Sequence, residues 1–303
     1  MSEEEIKKGL NIYLYYWTIP VFLAFVIINY SLRNFKIEAL NLGLMISVVS
    51  FLFGFLITIT FSMLLNRSSS LKEDLAIEAG RLVSLYFLSK QLGQKFHEKI
   101  IEKIDEYAIC TLRDYTNYEI SRDPMYSMYL NTPLMEIKDK SQEAAANSFY
   151  YVLGEFEPLR EKLEYLTNRR VEWSIKIADY LLGIILIILL FLNRGDSFTN
   201  AIFVVLSTII IFIFLIIEDF DDLRIGDYTY NISNSEQIFD LIGKERYYPE
   251  EVVDRVELTP NRTYRIGIQD KITKKEKIFQ IQYNPKFNSR LRFLTKKVKK
   301  DAL

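Results

Sequence analysis

Four carboxylates crowd into five positions, Glu218, Asp219, Asp221 and Asp222, directly after one of the most apolar runs in the chain. Calcium takes six to eight oxygen ligands, so such a cluster could supply several of them. The spacing is not that of an EF-hand loop, and helical geometry puts Glu218 with Asp221 or Asp222 on one face while Asp219 points elsewhere. A helix leaving a membrane for water would carry the same acids with no metal, because the inside rule counts lysine and arginine. Both readings stay open at this point. Lys176 and Asp179 lie three residues apart at the start of another apolar run, where a shared helix face lets them form an intramembrane ion pair.

A third pattern is made of small side chains. Gly43, Ser47, Ser50, Gly54, Thr58 and Ser62 recur every three or four residues along one face of a long apolar segment. Small faces allow close helix packing. The same face could line a narrow path, since hydroxyls and exposed backbone tolerate water where leucine does not. Phe51 and Phe55, one turn apart, form a candidate hydrophobic constriction, although lipid contact accounts for them equally well.

Other chemistry is scarce. With one histidine, His97, no site can use two imidazoles, and with one cysteine, Cys110, no internal disulfide can form. His97 reads as a solvated helix residue and Cys110 as a packing residue. The motifs HExxH, CxxC and GxxxxGK[ST] are absent, and no cluster combines nucleophile, base and oxyanion donor, so the chain is not expected to be an enzyme. The net charge of -1, from 38 basic and 39 acidic residues, argues against a nucleic-acid partner.

The elements that must position these residues are mostly membrane helices. Half of the 303 residues are hydrophobic, and they are clumped. Residues 12–32, 40–65, 177–193 and 198–217 are each close to the roughly 20 apolar residues that cross a bilayer as helix. They pair as two hairpins. Lys7, Lys8, Arg67, Lys72, Arg169, Arg170 and Arg224 lie on the side of the N-terminus, against Arg33, Lys36 and Arg194 on the other. The charge bias puts both termini and the middle segment in the cytoplasm of a cell whose inner membrane holds the chain. Tyr13, Tyr15, Tyr16, Trp17 and Trp173 fall at the cytoplasmic interface, where aromatic side chains collect.

Between the hairpins, Phe96, Ile100, Ile104, Tyr107, Thr111 and Tyr115 mark one helix face. Residues 71–92 and 134–166 read as two more helices, continuous with the second and third spans. Asp123-Pro124 reads as a break, and Thr132-Pro133 as a helix start. Past the collar, 255–259, 263–269 and 277–283 alternate as short strands of a small antiparallel sheet. The tail KFNSRLRFLTKKVKKDAL could lie on an anionic leaflet or be a solvated basic tail. The expected architecture is therefore mainly α, an integral membrane protein with four transmembrane helices. Its parts are 1–65 (flank and first hairpin), 66–171 (cytoplasmic helical domain), 172–217 (second hairpin) and 218–303 (C-terminal region with β element and basic tail).

This order of parts resembles the bestrophin-like domain proteins, a family named for its similarity to the bestrophin anion channels. The stretch after the second span, NRSSSLKEDLAIEAGRLVSLYFLSKQLGQKFHEKIIEKIDEYAICTLRDY, is similar to the family's helix of early acids, spaced leucines and a later tyrosine, here Tyr107. NRRVEWS resembles its basic approach to the third span, with Arg169 and Arg170. DDLRIG resembles its turn Asp-x-Pro-Phe-x-Gly, with Asp221 and Gly226 in register and Leu223 and Arg224 replacing the proline and phenylalanine. The Glu-Trp pair usual after the tyrosine helix is missing. The resemblance covers residues 10–245 and implies a homo-oligomer, a pentamer in bestrophins, with an axial anion path along the second span and a calcium clasp of acids after the fourth. On these grounds the chain is expected to pass small inorganic ions passively through the lipid bilayer under cytoplasmic control. The alternative is a non-conducting adaptor or sensor whose cytoplasmic domain binds a partner.

Overall fold

Proline spacing and apolar length decide where this chain bends. In a computed structural model, described for residues 12–32, 42–114, 117–222, 227–250, 252–253, 256, 258–269 and 276–283, the elements run α1 (Ile12–Ser31), α2 (Leu42–Gln91), α3 (Gln94–Arg113), α4 (Tyr118–Leu130), a short 3-10 turn (Thr132–Leu134), α5 (Lys140–Gly154), α6 (Phe156–Asn168), α7 (Trp173–Leu192), α8 (Ser197–Asp221), α9 (Asp227–Leu241), β1 (Tyr247–Pro249), β2 (Thr263–Gln269) and β3 (Glu276–Gln282). Three stretches among the described residues are long and apolar enough to cross a membrane, within Leu42–Gln91, Lys140–Leu192 and Ser197–Asp221. A shorter apolar helix covers Trp17–Ser31. The chain divides into two compact units, Met1–Ser70 with Arg169–Tyr228, and Leu71–Asn168 with Thr229–Leu303.

The first unit is built on the α7–α8 hairpin. Its turn is fixed by a capping box: the Asp196 carboxylate accepts from the Thr199 amide at 2.7 Å, and the Thr199 hydroxyl accepts from the Asp196 amide at 3.2 Å. Gly183 lets the two helices close, since a Cβ there would lie 2.2 Å from the Phe214 ring. Helix α1 packs along α8, with Phe25 edge-on to Phe203. Arg194 closes this end of the unit. Its guanidinium donates to the Phe191, Asn29 and Leu32 carbonyls at 2.8–3.4 Å, and lies 3.7 Å from the Phe191 ring centre. A cation there meets the negative ends of α1 and α7. Helix α2 adds Phe53, Ile57 and Leu64 to a core shared with Leu186, Leu190, Phe203, Val204, Ile210 and Ile217.

In the second unit α3 folds back on the distal half of α2 through Leu92-Gly93. Gly93 has φ +103°, a left-handed backbone that glycine adopts without strain. The anticipated α3 face is the buried one, with Phe96, Ile100, Ile104, Tyr107 and Thr111 inside; Tyr115 lies outside the described residues. Phe96 packs on Phe149 of α5 and Tyr107 on Phe156 of α6, ring centres 5.1 Å apart in both pairs. At the centre the Tyr107 hydroxyl donates to Glu78 of α2, and fully buried Arg160 of α6 donates to the same carboxylate at 3.2 Å. Arg265 on β2 grips Asp105 of α3 with two bonds of 2.6 and 2.7 Å, so the C-terminal sheet belongs to this unit.

Several expectations change. Helix α2 is continuous with its span, as expected, but α6 ends at Asn168 and α7 begins at Trp173, so the third span starts a new helix. The helix anticipated over 134–166 is two helices broken at Gly154-Glu155, where Arg81 takes the Glu155 carbonyl. Pro124 lies inside α4, and the break falls earlier, between the extended residues Asp114 and Asn117. Helix α4 runs on past it with the Ile120 carbonyl deprived of its helical donor. The sheet has the order β1-β2-β3 and is mixed: β2 and β3 are antiparallel, but the third strand is Tyr247–Pro249, parallel to β2. Of 255–259, the described residues 256, 258 and 259 are not in a strand. The basic tail lies outside the described residues.

His97 is not simply solvated. Its Nδ1 lies 2.8 Å from the hydroxyl of fully buried Ser89. That hydroxyl already donates to the Tyr86 carbonyl, so its oxygen accepts from His97 Nδ1–H. Burial, and then the Lys90 charge, push the His97 imidazole below its ordinary range. A lowered imidazole favours the neutral folded form, so acidification through about pH 6.5 costs stability. Wild type should lose more stability than His97→Gln between neutral and mildly acid pH in denaturant titrations. Gly183→Val should lower stability by about 3 kcal/mol through overpacking against Phe214, read from unfolding in detergent.

Candidate functional site

The acidic collar closes on protein cations. Asp221, the last residue of α8, is buried and receives three groups from separate parts of the first unit. Lys176 Nζ of α7 lies 2.7 Å from Oδ2. The Val171 amide, just before α7, donates to Oδ1 at 2.8 Å. Arg67 of α2 donates to the Asp221 carbonyl at 3.0 Å and approaches Oδ1 at 3.4 Å. Glu218, one turn back, shares Lys176 at 3.0 Å and accepts from the Tyr180 hydroxyl. Asp222 pairs with Arg170 at 3.3 Å.

Helical spacing explains the convergence. Lys176 and Tyr180 are four apart on α7, and Glu218 and Asp221 three apart on α8, so two facing stripes meet where the hairpin opens. A lysine near-buried among apolar helices requires its counter-charges, and the two acids supply them.

Calcium fits this arrangement poorly. Glu218, Asp221 and Asp222 each face a lysine or arginine, so a metal would have to displace a cation already bonded to its donors. Among the described residues no group of three or more His, Cys, Asp and Glu side chains is placed to hold a metal ion. The 223–226 part of the family-like turn, with Gly226, lies outside the described residues.

Lys176 and Asp179 do not pair. Three positions on, Asp179 has turned to α2, where its Oδ2 accepts from the Thr60 hydroxyl at 2.7 Å. Asp179 and Thr60 are both fully buried, and Asp179 Oδ1 has no hydrogen-bond partner. Short-range spacing located Lys176, Asp179, Glu218 and Asp221 but not the pairing of Lys176 with the last two, which their distance in sequence hides. Arg67, Tyr180 and Thr60 were also missed. An arginine after an apolar run reads as flanking charge, and a lone threonine in a span carries no signal.

The small-residue face of α2 lies elsewhere. Gly43, Ser47, Ser50, Gly54, Thr58 and Ser62 are all exposed in the single chain, as are Phe51 and Phe55. The side of α2 packed into the unit is a different one, carrying Phe53, Ile57, Thr60 and Leu64. The Ser47 and Thr58 hydroxyls donate back to the Gly43 and Gly54 carbonyls at 2.9 and 2.7 Å, which satisfies them in an apolar setting. Among the described residues no neighbour lies within 4 Å of a Cβ added at Gly43 or Gly54, so neither glycine is needed for packing against them.

Helices long enough to span a membrane, a polar knot at the end of one hairpin and a helical second unit together define an α-helical membrane protein. Neither a family model nor a curated protein matches the sequence. Solved structures do match the fold. A bacterial bestrophin homologue from Klebsiella pneumoniae, crystallised with a single substitution, is similar with TM-score 0.55 at 11% identity, covering 77% of this chain and 99% of that one. The crystal structure of a protein described only as a membrane protein is similar with TM-score 0.53 at 12% identity, covering 77% of this chain and 98% of that one. The fold is therefore bestrophin-like, in agreement with the resemblance noted in the sequence.

Cutting the knot should be costly. Lys176→Met, which removes the cation shared by two carboxylates, should destabilise the protein by about 3 kcal/mol, whereas Asp179→Asn, which keeps the Thr60 contact, should cost about 1 kcal/mol or less. Thermal unfolding in detergent compares the two.

Proposed function

We propose that this chain is a four-span subunit of a homo-oligomeric membrane channel that passes small inorganic ions, anions foremost, along a path lined by α2. The observation that carries the reading is the face of Gly43, Ser47, Ser50, Gly54, Thr58 and Ser62, which is exposed among the described residues. Glycines and hydroxyls on an outward face gain nothing from lipid, but they suit a neighbouring helix or a water-filled path. Phe51 and Phe55, beside that face, would narrow the path to an apolar neck that gates by dewetting. The bestrophin-like fold supports the same assignment.

In this reading α1 and α2 form the first hairpin and α7 and α8 the second, both termini are cytoplasmic, and the membrane is the inner one. The second unit, Leu71–Asn168 with the C-terminal sheet, is then the cytoplasmic domain. Control from the cytoplasmic side would act on the collar through its ion pairs, with no calcium needed, given how its carboxylates are engaged. No reaction is catalysed.

Purified protein in liposomes should release trapped halide faster than empty vesicles, and Phe51→Ala with Phe55→Ala should raise the rate further. Calcium should leave the rate unchanged. A flux equal to that of empty vesicles from an oligomeric preparation would turn the assignment to the adaptor reading, in which the second unit binds a partner.

A further inference from the structure

The contacts between α2 and the rest of the first unit change in character along the helix. Toward residue 42 they are apolar, through Ile46, Val49, Phe53 and Ile57. Such packing is non-directional and holds a helix against its neighbours with little control of its rotation. Toward residue 67 they become polar and directional. Thr60 bonds to Asp179 of α7, and two turns on Arg67 reaches the terminal carbonyl and carboxylate of α8. The Arg67 side chain is 9% exposed and that of Asp221 0%, so salt screens the contact weakly. Asp221 is itself immobilised by Lys176 and the Val171 amide. Arg67 is thus joined to a fixed point.

We infer that Arg67 and Asp221 form a latch that sets the rotation and tilt of α2, and with them the direction in which its small-residue face points. Arg67 is a positioning residue that touches no ion. Breaking the contact frees the inner half of α2 to turn on its apolar contacts, while the α7–α8 hairpin keeps its capping box, the Gly183 crossing and the Lys176 pairs. The inference deepens the reading of α2 as the path-lining helix and rests on it for its functional consequence, but its structural content stands alone.

The test labels exposed Leu44→Cys on α2 and Leu181→Cys on α7 with spin labels, in a Cys110→Ser background, and measures their separation in nanodiscs by pulsed electron resonance. Arg67→Gln should shift the mean distance by about 2 Å or more or broaden its distribution, on the scale of helix movements in switching proteins. Arg67→Lys should keep the wild-type distribution. Should Arg67→Gln not fold, Arg67→Leu, which likewise leaves Lys176 and the Val171 amide on Asp221, is expected to give the same displacement. Halide flux is measured on the same samples and should change severalfold with the distance. A displaced α2 in a protein that conducts nothing keeps the latch and removes the channel reading. An Arg67→Gln distribution matching wild type overturns the latch, whatever the flux.

Discussion

A carboxylate buried among apolar helices must have its charge answered, and in this protein the answer organises the first unit. Asp221 sits at the last residue of α8 with a lysine from α7, an amide from the segment before α7 and an arginine from α2 directed at it. Deleting any one would leave a buried charge short of partners, so the segments are held to a single geometry at that point. Glu218, Tyr180 and the Asp222–Arg170 pair extend the same network toward the end of the hairpin. The remaining helix contacts, including the Gly183 crossing and the phenylalanine pairs, fill space around this fixed point.

The other half of α2 has the opposite problem. Its buried face is ordinary core, but glycines and hydroxyls run along an exposed one, where the Ser47 and Thr58 hydroxyls are satisfied by the helix's own carbonyls. Inside a soluble protein such a face would be unremarkable. On a membrane helix it leaves no gain from lipid contact, and the proposed association with copies of itself around water would account for both the small side chains and the flanking phenylalanines. The second unit uses a related economy. Glu78 on the distal half of the same helix ties down Tyr107 and Arg160, so one long helix carries both the membrane core and the core of the helical domain.

Much of this was legible in the sequence wherever the signal was local. Apolar length gave the three stretches long enough to cross a membrane, and the periodicity of Phe96, Ile100, Ile104 and Tyr107 gave the buried face of α3, because both depend on nearby residues. Strands 263–269 and 277–283 were likewise readable from alternation. The failures share a cause. Lys176 looked like the partner of Asp179, three residues off, because spacing cannot weigh a carboxylate 45 positions away at Asp221. Tyr247–Pro249 is too short to alternate and was passed over for 255–259. The collar read as either a metal site or a helix exit, since its lysine and arginine partners come from three other places in the chain.

If α2 lines the proposed path, its small-residue face looks onto a shared aqueous axis. An electron-density map of the protein in lipid nanodiscs measures this directly. The expected result is a ring of subunits with Ser47, Ser50 and Thr58 turned to a central water-filled path, narrowed beside them at Phe51 and Phe55. A single chain with that face against lipid, or a ring whose centre is filled by lipid, would contradict it.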